Sequence, residues 1–483
     1  MGKQKSIKVN FIMNIFLTLS GIIFPLITYP YVARILSPEG MGKISFVNSV
    51  VSYFALFAQL GIPTYGIRAC AKVRDDRNRL SKVVSELFII NLITTIISYI
   101  VLFVLIKNII KFNSEKTLFY VLSSSMIFNL IGMEWLFKAL EEYTYITIRS
   151  VIFKFLGLIL MFILIHKPQD YIIYGIILII ASYTSSILNF VKARHYVKIN
   201  IWGKLEIIKH IRPIIVFFAS TCATTIYTNL DNVMIGVMKT NIEVGYYSTA
   251  IKVKIMLTSC VTALGAVLLP RASYYIENKL MDEFNIISRK AMNFVVLIAL
   301  PMVIYFTIFA KECISVLAGT AYDAAVLPMQ IMMPTVLIIG MTNIMGTQMM
   351  ILLGRENRIL YAHILAAITD LTINLLLIPR FSIIGAAVGT LFAEVVVWIV
   401  QFYGIRDKAK IIYGNISYYK YVVATVIALI SGIIIKIIDI NCFIKLVISA
   451  FFFFTIYIIC LCLIREKFFM ELTASLFKKR NKV

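Results

Sequence analysis

Long apolar stretches alternate with short polar connections along the whole chain. Fourteen such stretches occur, at about 9–30, 44–66, 83–106, 118–138, 148–166, 171–191, 213–238, 244–269, 291–311, 327–353, 361–378, 385–404, 420–438 and 444–464. An α-helix rises ~1.5 Å per residue and needs about 20 apolar residues to cross a hydrocarbon layer ~30 Å thick. Barrel strands would instead show segments of ~10 residues with alternating polarity. The pattern predicts an all-α integral membrane fold with about 14 transmembrane helices. The longest stretches are expected to tilt or to extend beyond the hydrocarbon.

The polar connections set the orientation. Of 47 Lys and Arg residues, 33 fall in one alternating set of connections and 11 in the other. This bias predicts a multi-pass protein of the cytoplasmic membrane with both termini in the cytoplasm. No connection is long enough for a soluble domain. Composition agrees: 60% of the 483 residues are hydrophobic, and the mean hydropathy is +0.90. The formal charge of +23 invites a nucleic-acid reading. The basic residues, however, are spread over loops on one side, where they act as topogenic signals and contacts to anionic membrane lipids. Lys3, Lys5 and Lys8 precede the first apolar run as in a signal sequence, but no small-residue cleavage site follows, so a retained helix is expected. The seven cysteines have no metal-ligand spacing, and no cofactor, metal or obligatory disulfide is expected.

A weak internal repeat is visible. SPEGMGKISFVNSV, between the first two stretches, resembles NIEVGYYSTAIKV, between the seventh and eighth. The hairpin GLILMFILIHKPQDYIIYG resembles NLLLIPRFSIIGAAVGT six stretches later. An even offset implies two parallel repeats related by an axis along the membrane normal. The expected organisation is an N-lobe at 1–206, a C-lobe at 207–412 and a C-terminal hairpin with a basic tail at 413–483. Two six-helix lobes of this kind enclose a central cavity. Pro25, Pro30, Pro301, Pro328 and Pro334 are candidate bending points, because each removes a backbone hydrogen bond.

Charges inside apolar stretches cost roughly 2.5–3.5 kcal/mol each on insertion scales and are candidate site residues. Asp231 and Lys252 lie equally far from the turn joining the seventh and eighth stretches, so a pair at one depth is expected. Lys254, two residues on, points away from Lys252. Lys252 can contact a phosphate, or the pair can be structural. Glu134 and Lys138 form an i,i+4 pair. Across the next turn, Arg149 matches Lys138 in depth and Lys154 roughly matches Glu134. Three cations and one acid near the cytoplasmic side suit capture of an anionic lipid head group, or an interfacial charge belt. Asp370 and Glu394 lie 12 residues either side of another turn. Two carboxylates in a medium of low dielectric do not both ionise cheaply, which suits coupling to H⁺ or Na⁺. The chain has no G-x-x-x-x-G-K-[ST], H-E-x-x-H or G-x-S-x-G motif. Enzymatic activity is not expected.

FPLITYPYVARILSPEGMGKISF, LGIPTYGIR, DNVMIG, EVGYYSTAIK, LLPRAS, LLGRENR and NLLLIPRFSIIGAAVGTLFAE, taken together, resemble bacterial polysaccharide flippases. These belong to the multidrug/oligosaccharidyl-lipid/polysaccharide exporter superfamily. The resemblance covers nearly the whole chain. It implies 14 helices and movement of undecaprenyl diphosphate-linked oligosaccharide from the inner to the outer leaflet by alternating access, for O-antigen or capsule. Lys252 stands where related lipid II flippases carry a diphosphate-binding arginine; a lysine offers a point charge rather than a fork. Arginines of those relatives' first helix have no counterpart, since Pro25 and Pro30 stand there. Arg68 is expected to meet the head group at entry, and the final hairpin to shelter the prenyl tail. A monomer suffices, in company with a polysaccharide polymerase and glycosyltransferases. The alternatives are a teichoic acid precursor flippase, a cation-coupled small-molecule exporter of the same superfamily, and a membrane-embedded glycan polymerase or acyltransferase.

Overall fold

A computed structural model describes residues 7–200, 205–414 and 416–480. Among them every regular element is helical. The chain divides into two compact units, Met1–Gly245 and Tyr246–Val483.

The first unit opens with α1 (Ile7–Gln59), a run of 53 residues that bends at Ser37, where φ is 62°. Pro38 causes the break: its ring bars the preceding residue from helical geometry and its own fixed φ suits the start of a new helix. Pro25 and Pro30 lie inside the first arm. A second break at Leu60, with φ 45°, separates α1 from the short α2 (Ile62–Ala71). Next come α3 (Arg77–Asn108), capped by Asp76 Oδ1, which accepts from the Asn78 and Arg79 amides, and α4 (Lys116–Gly132). Met133 at φ 39° turns the chain into α5 (Glu134–Ala139). α6 (Tyr143–Leu164) follows. α7 (Tyr171–Ile179) and α8 (Ser186–Tyr196) are joined by a π-turn, Ile180–Thr184. α9 (Ile208–Met238) completes the unit, together with the first turn of α10 (Asn241–Glu277). That turn is closed by a capping box: Thr240 Oγ1 accepts from the Glu243 amide while the Glu243 carboxylate accepts from the Thr240 amide.

The second unit holds the rest of α10, then α11 (Met281–Ile308), α12 (Ala310–Ala318), α13 (Val326–Met332) and α14 (Pro334–Asn343). The bend between Thr320–Met332 and Pro334–Met350 is 47°, and Pro334 stands at it, as a proline break requires. α15 (Glu356–Phe381) and α16 (Ile383–Gly404) form a tight hairpin, followed by α17 (Arg406–Tyr413). α18 (Tyr418–Ile437) and α19 (Cys442–Leu463) make the final hairpin, and α20 (Lys467–Arg480) ends the described chain. Tyrosines fasten that hairpin to α11: Tyr421 Oη donates to Asn293 Oδ1 (2.6 Å) and Tyr457 Oη to the Leu297 carbonyl (2.9 Å). Its other faces expose Val422, Val426, Ile430, Ile434 and Phe451, a surface for lipid chains.

Apart from these breaks, the 14 expected stretches fall on helix. By length and composition, ten helices among the described residues can cross a membrane, or eleven with the bent pair taken as one. Two of the differences from 14 are breaks in the helices: the first two stretches run as one helix through the Ser37 bend, and the fourth is cut at Met133 into pieces of 17 and 6 residues.

In the second unit Arg355 forks onto Asp407 (2.8 and 3.0 Å) and also donates to the Gly404 carbonyl. The fork holds the Asp407 carboxyl below the usual carboxylate range. A depressed acid stabilises the fold above its unfolded pKa, and the contribution disappears as the pH falls through the folded one. The pair is partly exposed and screened, so the effect is small. Asp407→Asn is expected to melt slightly below the parent at neutral pH, the gap closing as the pH falls below about 4. A gap that persists at lower pH would show that the carboxylate charge contributes nothing.

Candidate functional site

Insertion cost makes ionisable groups on membrane-length helices the place to look. In the first unit, three residues expected to come together do so. Glu134 opens α5 because the left-handed Met133 redirects the chain there. Its Oε1 pairs with Lys138 Nζ at 2.9 Å, and its Oε2 with Arg149 Nη2 at 3.5 Å. Arg149 is only 4% exposed, although it projects from the apolar helix α6. Its Nη1 donates to the Ser185 carbonyl at 2.9 Å. Ser185 directly follows the π-turn, where the regular helical ladder is interrupted and a carbonyl is open to a side chain. Arg149 Nε is buried without a hydrogen-bond partner. One carboxylate thus serves two cations, leaving a formal surplus of one positive charge around the buried guanidinium.

Lys154 is five residues further along α6. Its Nζ donates to Ser20 Oγ on α1 at 2.8 Å, so the third cation is anchored on a different helix from the other two. It opens onto a cavity of about 240 Å³ among α1, α6 and α7, lined also by Phe24, Thr28, Tyr174 and Ser182. One ammonium, several hydroxyls and an apolar wall suit a small anionic group attached to an apolar chain. Arg68 is exposed in the last turn of α2. Asp231 is buried on α9.

In the second unit Lys252 and Lys254 are half-buried on α10. Asp370 is buried on α15, with Asn374 one turn on. Both face Gly389 of α16, where an added Cβ would lie 3.0 Å from Asp370 Oδ1 and against Asn374 Oδ1. Next to Gly389, Thr390 Oγ1 bonds Tyr247 Oη at 2.7 Å. Glu394 is also buried on α16. Asp370 thus packs against Gly389, five residues before Glu394. α15 continues through Pro379 to Phe381, and the chain reverses at Ser382 (φ 50°), midway in sequence between Asp370 and Glu394.

A further buried polar group went unrecognised in the sequence. Glu86 on α3 is fully buried and bonds His210 Nε2 on α9 at 2.7 Å. The available signal was an acid inside the third apolar stretch, which the insertion argument should have flagged. Its partner stands 124 positions away, and no local spacing announces it.

Comparison with known proteins extends this picture. The family model described as "Polysaccharide biosynthesis protein" matches residues 7–276. The Putative O-antigen transporter of Escherichia coli (strain K12) is 23% identical over 399 residues, covering 81% of this chain and 95% of that protein. The Capsular polysaccharide biosynthesis protein CapF of Staphylococcus aureus is 21% identical, covering 83% and 98%. Among solved structures, the lipid II flippase MurJ in an inward closed conformation superposes with a TM-score of 0.73 at 14% identity, over 93% of this chain and 98% of that one. An inward-facing multidrug resistance transporter of the MATE family gives 0.64 at 14% identity, over 82% and 99%. At these identities the two structures speak for the fold.

Proposed function

The chain belongs to the polysaccharide biosynthesis protein family, and from that premise we propose that it is a flippase. It carries undecaprenyl diphosphate-linked oligosaccharide repeat units from the inner to the outer leaflet of the cytoplasmic membrane by alternating access. The observation that carries this is Arg149: a buried guanidinium on a membrane-length helix, sharing one carboxylate with Lys138. Such a surplus of positive charge is costly in an apolar protein unless an anion comes to meet it. A diphosphate is that anion, and a guanidinium fork matches phosphate oxygens. The relatives named for O-antigen and capsular polysaccharide support a lipid-linked glycan as cargo. A cationic drug would favour an acidic site instead.

Arg149 and Lys138 hold the diphosphate, with Glu134 keeping both cations ionised and placed. Arg68 draws the head group in, and Lys154 receives part of it in the cavity beside Ser20. Lys252 supplies a contact in the C-lobe. Asp370 and Glu394 couple the cycle to H⁺ or Na⁺. Both termini are cytoplasmic, the lobes are 1–206 and 207–412, and 413–483 is an appended hairpin whose apolar faces meet the prenyl tail. A monomer performs the cycle, and the polymerase and glycosyltransferases of the same glycan are its working partners.

Deleting the gene in its host is expected to make a complete repeat unit on undecaprenyl diphosphate accumulate, with loss of the surface polymer. Mass spectrometry of the lipid-linked glycans reads this and identifies the cargo, including a teichoic acid precursor. Unchanged lipid-linked pools and an unchanged surface would refute the flippase.

A further inference from the structure

The Glu86–His210 contact belongs to a wider network in the first unit. Glu86 Oε1 accepts from the Glu206 amide (2.8 Å), and its Oε2 lies 3.2 Å from Lys209 Nζ and 2.7 Å from His210 Nε2. Lys209 also meets Glu206 at 3.1 Å, and Glu206 meets Lys82 at 2.5 Å. On the other side of the imidazole, Nδ1 lies 2.7 Å from Tyr65 Oη on α2. Apolar side chains surround the group: Ile62, Cys70, Leu80, Val84, Leu87, Trp135 and Ile214 are all buried together.

Three features make this more than a fastening. The first is charge. With both carboxylates ionised, both lysines protonated and the imidazole neutral, the network sums to zero; a proton on His210 makes it +1. Tyr65 on α2 and Glu86 on α3 face the imidazole; around them lie Cys70 on α2, Lys82 on α3, Glu206 before α9 and Lys209 on α9. From α5 comes Trp135, uncharged, lying against Gly66. Arg68 and Arg212 are exposed. Histidine is the side-chain type that serves as a charge switch near neutral pH, and His210 is the histidine of this network. The second is hydrogen-bond direction. A neutral imidazole facing an ionised carboxylate donates from Nε2 to Glu86 and accepts the Tyr65 hydroxyl at Nδ1. A proton taken from water at Nδ1 forms one N–H bond. It turns Tyr65 from donor into acceptor and makes the His210–Glu86 bond a charged pair. The third is mechanics. α2 has ten residues and a break at each end: Leu60 at φ 45° before it, and the turn at 72–76 after it. At Gly61 the chain lies directly on the α9 backbone at Ile214 and Phe218. A short helix hung between two breaks is a segment that one reversed hydrogen bond can reseat.

We propose that His210, Glu86 and Tyr65 form a proton-binding site that ties the charge of one imidazole to the seating of α2. The site uses neither Arg149 nor Lys154, and it does not depend on the cargo assigned above.

The test uses the full chain in lipid bilayers, labelled with ¹⁵N at its four histidines, with protons as the only ligand. Solid-state NMR follows the imidazoles from about pH 8.5 to about pH 5, the interval in which imidazoles change charge. One histidine is expected to pass from the Nε2-protonated neutral form to imidazolium. His210→Gln removes its signals, and Tyr65→Phe, which deletes one oxygen, moves its transition. Tyr65→Phe assigns the signal even if His210→Gln does not fold. Trp135 fluorescence, with the other two tryptophans replaced by Phe, reports α2 and is expected to follow the same transition in the parent and to lose it in Tyr65→Phe. A His210 that keeps one form throughout would overturn the site. So would Trp135 fluorescence that ignores the transition, or follows it unchanged in Tyr65→Phe.

Discussion

Arg149→Ala is expected to abolish transport of lipid-linked glycan, with a loss of about a hundredfold or more. Removing one partner from a buried, hydrogen-bonded charge costs about 3–5 kcal/mol, and each 1.4 kcal/mol is a factor of ten. The same side chain also ties the Ser185 carbonyl to Glu134. Alanine therefore has a structural cost, and insertion and monodispersity must be checked alongside transport. Arg149→Lys separates the two roles. It keeps the charge but cannot reach Ser185 and Glu134 at once with a planar fork, so partial transport is expected. Lys138→Ala separates stability from binding. Its i,i+4 pair with Glu134 is about a third to a half exposed, and such pairs contribute little to stability. Parent-like folding is expected, with a loss of transport smaller than that of Arg149→Ala. The measurement is uptake of a fluorescent lipid-linked oligosaccharide into the far leaflet of proteoliposomes. Normal transport by a well-folded Arg149→Ala protein would remove Arg149 from the binding site.

The helical membrane class was legible because every apolar stretch is long and every connection short, leaving no other way to satisfy the backbone in lipid. The Glu134, Lys138 and Arg149 cluster was legible for a related reason: the three residues flank one short turn, so depth follows from counting. Counting along one hairpin does not reach partners on other elements or at uncharged positions. Lys154 donates to Ser20 on α1, a small hydroxyl residue that carries no signal of its own. Gly389 likewise carries no sign that Asp370 and Asn374 pack against it. Glu86 and His210 stayed hidden because tertiary packing, not spacing, joins α3 to α9. The repeat motifs are intermediate. Their likeness was visible, but not what their glycines are for.

Those glycines carry the second large effect. Gly42 follows the bend in α1 and Gly245 lies in the first turn of α10, and both are in the first unit. A Cβ on Gly42 would fall on the Asn241 carbonyl and against the Gly245 amide; a Cβ on Gly245 would fall on the Pro38 carbonyl. The two matching segments therefore cross backbone to backbone. Backbone does not swing aside as a flexible side chain does, so even a methyl group must push the segments apart. Overpacking of this kind costs typically about 1–3 kcal/mol and can cost more where nothing yields. Gly42→Ala and Gly245→Ala are each expected to lower the melting temperature of the purified protein by several degrees and to reduce the yield of monodisperse material. The double variant should cost less than the two singles together, because parting the segments once relieves both overlaps. Gly354→Ala is the contrasting case. Gly354 has φ 67° but no atom within 4 Å of an added Cβ, so only the left-handed backbone penalty of about 1–2 kcal/mol applies. A crossing that matters for packing makes Gly42 and Gly245 non-additive with each other and additive with Gly354. Parent-like melting of both single variants would mean that the two repeat segments do not cross in contact, and that their shared glycine has another cause.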